Sequence, residues 1–134
     1  MAFAQRDAGD STRKRRLLVV DDNRDAAESM SMLLQMWGHD VVFACDGPTA
    51  LETAKRWQPE AVFLDIGLPG MDGYEVAERL RELPHTRGAV LVAITGYGQD
   101  DDRMRSRRAG IDHHLVKPVA PDALRSLIDS LQVH

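Results

Sequence analysis

The sequence has one cysteine, Cys45, so no disulfide can form within the chain. It also has no apolar run near the roughly 20 residues that a membrane-spanning helix needs. The first residues lack the apolar core of a secretory signal. These absences favour a protein of a reducing compartment, and we expect a cytoplasmic location without membrane insertion.

The chain also lacks an excess of positive charge. Its 134 residues carry 17 Lys and Arg against 21 Asp and Glu, a formal net charge of -4, which argues against direct nucleic-acid binding. This length suits a single domain with a core large enough to fold without structural metal. The polar start of the chain predicts a flexible, basic tail over residues 1–15 and a folded domain over 16–134.

Short apolar runs alternate with amphipathic stretches along the rest of the chain. The runs suit strands buried on both faces of a parallel sheet, at 17–20, 41–44, 61–64, 89–94 and 113–116. After four of the runs, apolar residues recur every three or four positions, which predicts helices. The highly charged stretch 100–108 after the fourth run, with Met104 as almost its only large apolar side chain, is predicted as the remaining helix of five. Strict alternation implies right-handed crossovers, and hence an α/β fold with a doubly wound five-stranded parallel sheet.

Polar side chains stand directly after four of these predicted strands. Asp21 and Asp22 follow the first, Asp65 the third, Thr95 the fourth and Lys117 the fifth. Ligands of such sheets bind beyond the carboxyl ends of the strands. We therefore expect these five residues to converge in one crevice.

Three carboxylates at one point destabilise one another unless a cation neutralises them. Oxygen ligands on rigid strand ends suit Mg2+, with Mn2+ as a substitute. Asp65, at the end of a central strand, is the candidate nucleophile for an aspartyl phosphate. Charge on the transferred phosphoryl group would then be neutralised by the metal, Lys117 and the Thr95 hydroxyl.

These motifs make the chain resemble the receiver domain of two-component response regulators over about residues 16–134. The resemblance rests on D-D after the first strand, F-L-D-I-G-L-P-G-M-D-G-Y-E, A-I-T-G and V-K-P-V. The spacings agree as well, with 30 residues from Asp65 to Thr95 and 22 from Thr95 to Lys117. Each motif alone is weak, but the ordered set is specific.

The resemblance implies a metal ligand set. Asp65 would be the phosphoacceptor and a Mg2+ ligand, Asp22 a direct ligand and Asp21 a ligand acting through water. The backbone carbonyl of Gly67 would complete the protein's contribution. No binding site for an organic cofactor is expected.

The resemblance also implies the fold and the phosphate contacts. The topology would be (βα)5 and flavodoxin-like, with strand order 2-1-3-4-5. Thr95 and Lys117 would contact the phosphoryl group, and the peptide bond between Lys117 and Pro118 would be cis.

Two further positions are candidates for switching and tuning. His114 stands three residues before Lys117, where many receivers carry Tyr or Phe, and in this it resembles receivers attached to hybrid histidine kinases. Tyr97, two residues after Thr95, is either an exposed loop aromatic or a cover for the pocket.

The partners implied are a histidine kinase or histidine phosphotransferase as donor, and a downstream protein. The downstream protein would bind the face formed by the fourth helix, fifth strand and fifth helix. We expect no enzyme activity beyond self-catalysed phosphorylation and dephosphorylation.

Two alternatives stay open. One is a receiver-like interaction module that is never phosphorylated. The other is a phosphatase or cofactor binder on the same fold. Against the second, a haloacid-dehalogenase-type phosphatase would carry Asp where Gly67 stands, no P-loop pattern occurs, and Asp21 and Asp22 would repel a flavin phosphate.

Overall fold

The computed structural model describes residues 14–96 and 103–131, in which five strands alternate with five helices. The strands are β1 (Arg16–Val20), β2 (Asp40–Ala44), β3 (Ala61–Asp65), β4 (Val90–Thr95) and β5 (His113–Val116). The helices are α1 (Arg24–Met36), α2 (Gly47–Trp57), α3 (Gly73–Glu82), α4 (Arg103–Ala109) and α5 (Pro121–Asp129). Every strand pair is parallel and the order is β2-β1-β3-β4-β5, so the predicted α/β fold and strand order are confirmed.

Helices cover both faces of the sheet because successive strand residues point to opposite sides. Leu18 and Val62 pack toward α2, α3 and α4, whereas Leu17 and Phe63 pack toward α1 and α5. The central strand β3 is buried at every position, including its last residue, Asp65. In the described part of the chain, no helix is long and apolar enough to cross a membrane.

Capping residues fix the positions at which several of the helices begin. Asp46 Oδ1 accepts the Thr49 N–H at 2.8 Å, and Asp72 Oδ1 accepts the Glu75 N–H at 2.9 Å. Pro121 begins α5, where its missing N–H has no helical partner to lose. Such caps contribute about 0.5–2 kcal/mol each and set the loops at one edge of the sheet.

The chain just before β1 is anchored to the opposite edge. Arg15, which we placed in the predicted tail, is only 5% exposed. Its Nη2 donates to the carbonyl of Leu131 at 3.2 Å, and its Nη1 lies 3.8 Å from a Glu60 oxygen. The backbone N–H of Arg15 donates to His39 Nδ1 at 3.1 Å. Arg15 therefore packs with the domain, while residues 1–13 lie outside the described residues.

His39 makes the stability of this edge depend on pH. Burial of the ring and the positive charge of Arg15 hold the pKa of His39 below its ordinary value, against the opposing charges of Asp129 and Glu60. The unfolded state therefore takes up a proton first as the pH falls through about 6.5. The neutral His39 ring therefore contributes fully to the unfolding free energy above that pH, and this contribution is lost below it. We expect the unfolding free energy to fall when the pH is lowered from about 7.5 to 5.5.

Denaturant unfolding at both pH values measures this effect. In His39→Asn the amide oxygen can still accept the Arg15 N–H, but the proton-binding ring is gone, so the pH dependence should be smaller. His85→Asn, at an exposed position, is the control and should keep the wild-type dependence. Equal pH dependence in wild type and His39→Asn would contradict the assignment.

Candidate functional site

Three carboxylates meet at the carboxyl ends of β1 and β3. One oxygen from each of Asp21, Asp22 and Asp65 lies within 4.8 Å of the other two. Asp21 and Asp65 are 7% and 6% exposed, whereas Asp22 is open to solvent. The strand order explains the convergence, since β1 and β3 are neighbours at the switch point of the sheet.

The two buried carboxylates are held in the same way. Oδ1 of Asp21 accepts the Asn23 N–H and Oδ1 of Asp65 accepts the Gly67 N–H, each at 2.9 Å. Oδ2 of both aspartates contacts Lys117 Nζ at 3.1 Å. Each carboxylate thus uses one oxygen for its own turn and presents the other to the pocket. The site is therefore pre-organised before any ligand arrives.

Lys117 supplies the positive charge of the site and follows directly after β5. Its peptide bond to Pro118 is cis, as expected, and its N–H donates to the Thr95 carbonyl at 2.7 Å. Burial lowers the pKa of Lys117, but hydrogen bonds to Asp21 and Asp65 and the charges of both carboxylates more than offset it, so the pKa lies above its ordinary value. Lys117 therefore stays protonated at physiological pH.

Thr95 ends β4 beside the carboxylates. It is 4% exposed, and the preceding residue, Ile94, pairs with Asp65 in the sheet. Gly67 lies exposed in the loop after β3, next to the carboxylate that its N–H contacts. The structure therefore gathers Asp21, Asp22, Asp65 and Lys117 at one point and places Thr95 at the end of the adjoining strand. Tyr97 lies outside the described residues.

His114 sits in β5 but contacts α4 rather than the carboxylates. Its Nε2 is 2.9 Å from Ser106 Oγ, and its Nδ1 is 3.2 Å from an Arg103 nitrogen. The sequence did not indicate Ser106 or Arg103 as partners. Their spacing of three puts both on one helix face, but it does not tell which strand that face meets.

The arrangement suits a divalent cation. Three carboxylates against one ammonium leave two negative charges, and two of the carboxylates are buried. All the side-chain donors are hard oxygens, and exposed Asp22 leaves an opening for a hydrated ion. A buried carboxylate beside a lysine can also act as a nucleophile toward phosphorus.

Comparison with known proteins supports a common origin. A family model described as the response regulator receiver domain matches residues 17–129. An uncharacterised 14.6 kDa protein of Leptolyngbya boryana is 35% identical over 112 residues, covering 84% of this chain and 86% of that protein. The response regulator PleD of Caulobacter vibrioides is 36% identical over 116 residues, 87% of this chain but only 26% of PleD.

Solved structures share the fold. A putative response regulator from Chloroflexus aurantiacus has a TM-score of 0.80 and 30% identity, over 89% of this chain and 100% of that one. The receiver domain of a Pseudomonas aeruginosa sensor histidine kinase has a TM-score of 0.77 and 27% identity, over 87% and 95%. That structure has a magnesium ion coordinated in its active-site cleft.

Gly73, the first residue of α3, packs against the backbone where β3 ends at Asp65. A Cβ added there would lie 2.6 Å from the Asp65 carbonyl oxygen and 2.7 Å from Ile66 Cα, both backbone atoms that cannot turn aside. We expect Gly73→Ala to lower the unfolding free energy by about 1–3 kcal/mol, as overpacking does. Gly88→Ala is the control, because nothing lies within 4 Å of its added Cβ.

Denaturant unfolding of the two variants checks this prediction. Gly88→Ala should lie within about 0.5 kcal/mol of wild type, the usual range for surface changes. A Gly73→Ala variant as stable as Gly88→Ala would show that the loop tolerates a side chain at this point.

Proposed function

We propose that this chain, which belongs to the response regulator receiver domain family, accepts a phosphoryl group on Asp65 from a partner phosphohistidine. The observation that supports this most strongly is the Asp65 environment. The carboxylate is 6% exposed at a strand end, contacts Lys117 Nζ at 3.1 Å and stands beside two further carboxylates.

Asp21, Asp22, Asp65 and the Gly67 carbonyl would hold a Mg2+ ion, for which Mn2+ could substitute. When bound, the ion would screen negative charge on Asp65 and on the phosphoryl oxygens. Each buried aspartate gives one oxygen to its own turn and shares the other with Lys117, and each of these oxygens has a second lone pair.

In the transfer step, an Asp65 oxygen attacks phosphorus as the bond from phosphorus to the donor imidazole nitrogen breaks. The P–O bond of an acyl phosphate forms, the electron pair of the P–N bond stays on the imidazole, and the ring leaves as the neutral base because its other nitrogen already carries a hydrogen. Lys117, held protonated by its carboxylate neighbours, would neutralise the phosphoryl oxygens. The Thr95 hydroxyl would donate to the same group.

The acyl phosphate would alter the domain through Thr95. The acyl phosphate carries about 1.5 to 2 negative charges and three acceptor oxygens in place of the single charge of the carboxylate, which favours an inward move of hydrogen-bond donors. Thr95 is tied to β5, since its carbonyl accepts the Lys117 N–H at 2.7 Å. A pull on Thr95 would therefore reach β5 and the α4-β5-α5 face, where a downstream protein would bind.

A cavity beside the site offers a place for the donor protein to pack. It measures about 510 Å3 and lies between α1 and the start of α5. Its walls are mostly apolar, with Asp21 and Lys117 at one side. A histidine kinase or histidine phosphotransferase could bury apolar side chains there while presenting its phosphohistidine to Asp65.

Asp22 tests the metal site. We expect Asp22→Asn to weaken Mg2+ binding by about tenfold or more, since it removes a charge and a ligand oxygen. Isothermal titration calorimetry measures the change. Asp25→Asn, which neutralises an exposed carboxylate in the first turn of α1, is the matched control and should bind almost as wild type does. Equal affinities in the two variants would place the metal elsewhere.

Asp65 tests the phosphoacceptor assignment. Beryllofluoride with Mg2+ mimics an acyl phosphate, and we expect it to shift the amide resonances of Thr95 and of its neighbours in β4. Asp65→Asn should abolish the shifts, whereas Asp25→Asn should keep them. Unchanged spectra in the wild-type protein would exclude phosphorylation at this site and leave an interaction module as the function.

A further inference from the structure

Helix α4 is attached to the domain by polar contacts more than by apolar ones. Four of its seven residues are arginine, and its large apolar residue, Met104, is 62% exposed. Ala109 is buried, but it has only a methyl group to pack. Helices α1, α3 and α5 instead bury large apolar side chains, including Leu34, Leu80 and Leu124. The position of α4 therefore depends on a few directional contacts.

One set of these contacts joins α4 to α3. Arg105 lies 3.1 Å from an Asp72 oxygen, and its guanidinium stacks 4.6 Å from the centre of the Tyr74 ring. The other set joins α4 to β5, where His114 contacts Ser106 and Arg103. Ser106 is 1% exposed, so its end of the His114 contact is shielded from water, whereas the Arg103 contact is exposed.

The chemistry of the partners fixes the hydrogen on the His114 ring. Arginine has only donors, so His114 Nδ1 must be the acceptor of the Arg103 contact. The ring hydrogen then sits on Nε2 and is donated to Ser106 Oγ. With the hydrogen placed in this way, both ring nitrogens have a partner on α4.

We propose that His114 is a positioning residue that ties α4 to β5 by donating from Nε2 to Ser106 Oγ. A ring without nitrogens could fill the same space, but it could not hold α4 at one place along β5. This hydrogen bond between His114 and Ser106, called the tie below, is a feature of the unphosphorylated fold. Its use in signalling rests on the function proposed above.

The tie lies on the route from Asp65 to the α4-β5-α5 face. Asp65 pairs with Ile94 in β4, and His114 pairs with Ala93 in the same strand. A shift of β4 at Thr95 would move its neighbour β5, and with it His114, along the strand direction relative to Ser106. A hydrogen bond is lost over a short displacement, so such a shift would release α4.

The ring nitrogens provide a direct test. Nitrogen-15 spectra of the imidazole distinguish the two neutral forms, and we expect the Nε2–H form for His114 near neutral pH. The Nδ1–H form would overturn the proposal, because that nitrogen would then face the Arg103 donor with a hydrogen of its own.

Hydrogen exchange of the amides at the end of α4 tests the tie. The reporters are the N–H groups of Gly110 and Ile111, which donate to the Arg107 and Ser106 carbonyls. We expect His114→Phe and Ser106→Ala each to speed this exchange about 2- to 10-fold, the effect of one neutral hydrogen bond on local opening. The double variant should exchange no faster than the faster single variant, because both remove the same bond.

Two further variants serve as controls. His114→Gln has an amide that can donate from nearly the Nε2 position, so exchange should return toward the wild-type rate. Ser130→Ala removes a hydroxyl that donates to the Leu127 carbonyl in α5, and it should leave α4 unchanged. Additive effects in the double variant, or exchange in His114→Phe at the wild-type rate, would overturn the proposal.

These measurements use unphosphorylated protein, so they can fail independently of the phosphoacceptor assignment. A wild-type protein that does not respond to beryllofluoride would refute the proposed function and leave the tie intact. If both hold, beryllofluoride should speed Gly110 and Ile111 exchange in wild type but change it less than about twofold in His114→Phe, where the bond is already missing.

Discussion

The contact of one ammonium with two buried carboxylates sets the conditions for the rest of this structure. Asp21 and Asp65 stand at the ends of neighbouring strands, and two buried carboxylates this close repel each other unless a cation lies between them. Lys117 Nζ, at 3.1 Å from an oxygen of each, supplies that cation. The contact joins the ends of β1, β3 and β5. It therefore fixes the geometry of the site and the positions of these three strand ends relative to one another.

That contact constrains the residue at the end of β4. Strands lie about 4.8 Å apart, and β4 stands between β5, which leads to Lys117, and β3, which ends in Asp65. The lysine chain must pass over the end of β4 to reach the carboxylates. A small side chain such as Thr95 leaves room for it. The same residue is thus suited by size to the lysine path and by its hydroxyl to the phosphate.

The parallel sheet and the convergence of the site could be predicted from local pattern, whereas the strand order was implied by the resemblance to receiver domains. Alternating elements dictate a parallel sheet, and a parallel sheet gathers its carboxyl ends at one edge. The contact between His114 and Ser106 could not be predicted, since helical spacing identifies a face but not the strand it meets. The anchoring of Arg15 was missed for a similar reason. Its partners Leu131 and Glu60 are distant in sequence and meet it only at the sheet edge.

The two kinds of contact around the sheet suit different tasks. Apolar side chains on α1 and α5 pack against the sheet through many small contacts, so these helices preserve the core while the site changes charge. The contacts of α4 with Asp72, Tyr74 and His114 depend on direction and distance, and they are either made or broken. A helix held in this way has discrete positions rather than a continuous range. A small change at Thr95 can therefore have a large effect on α4 and little effect on the helices that pack through apolar side chains.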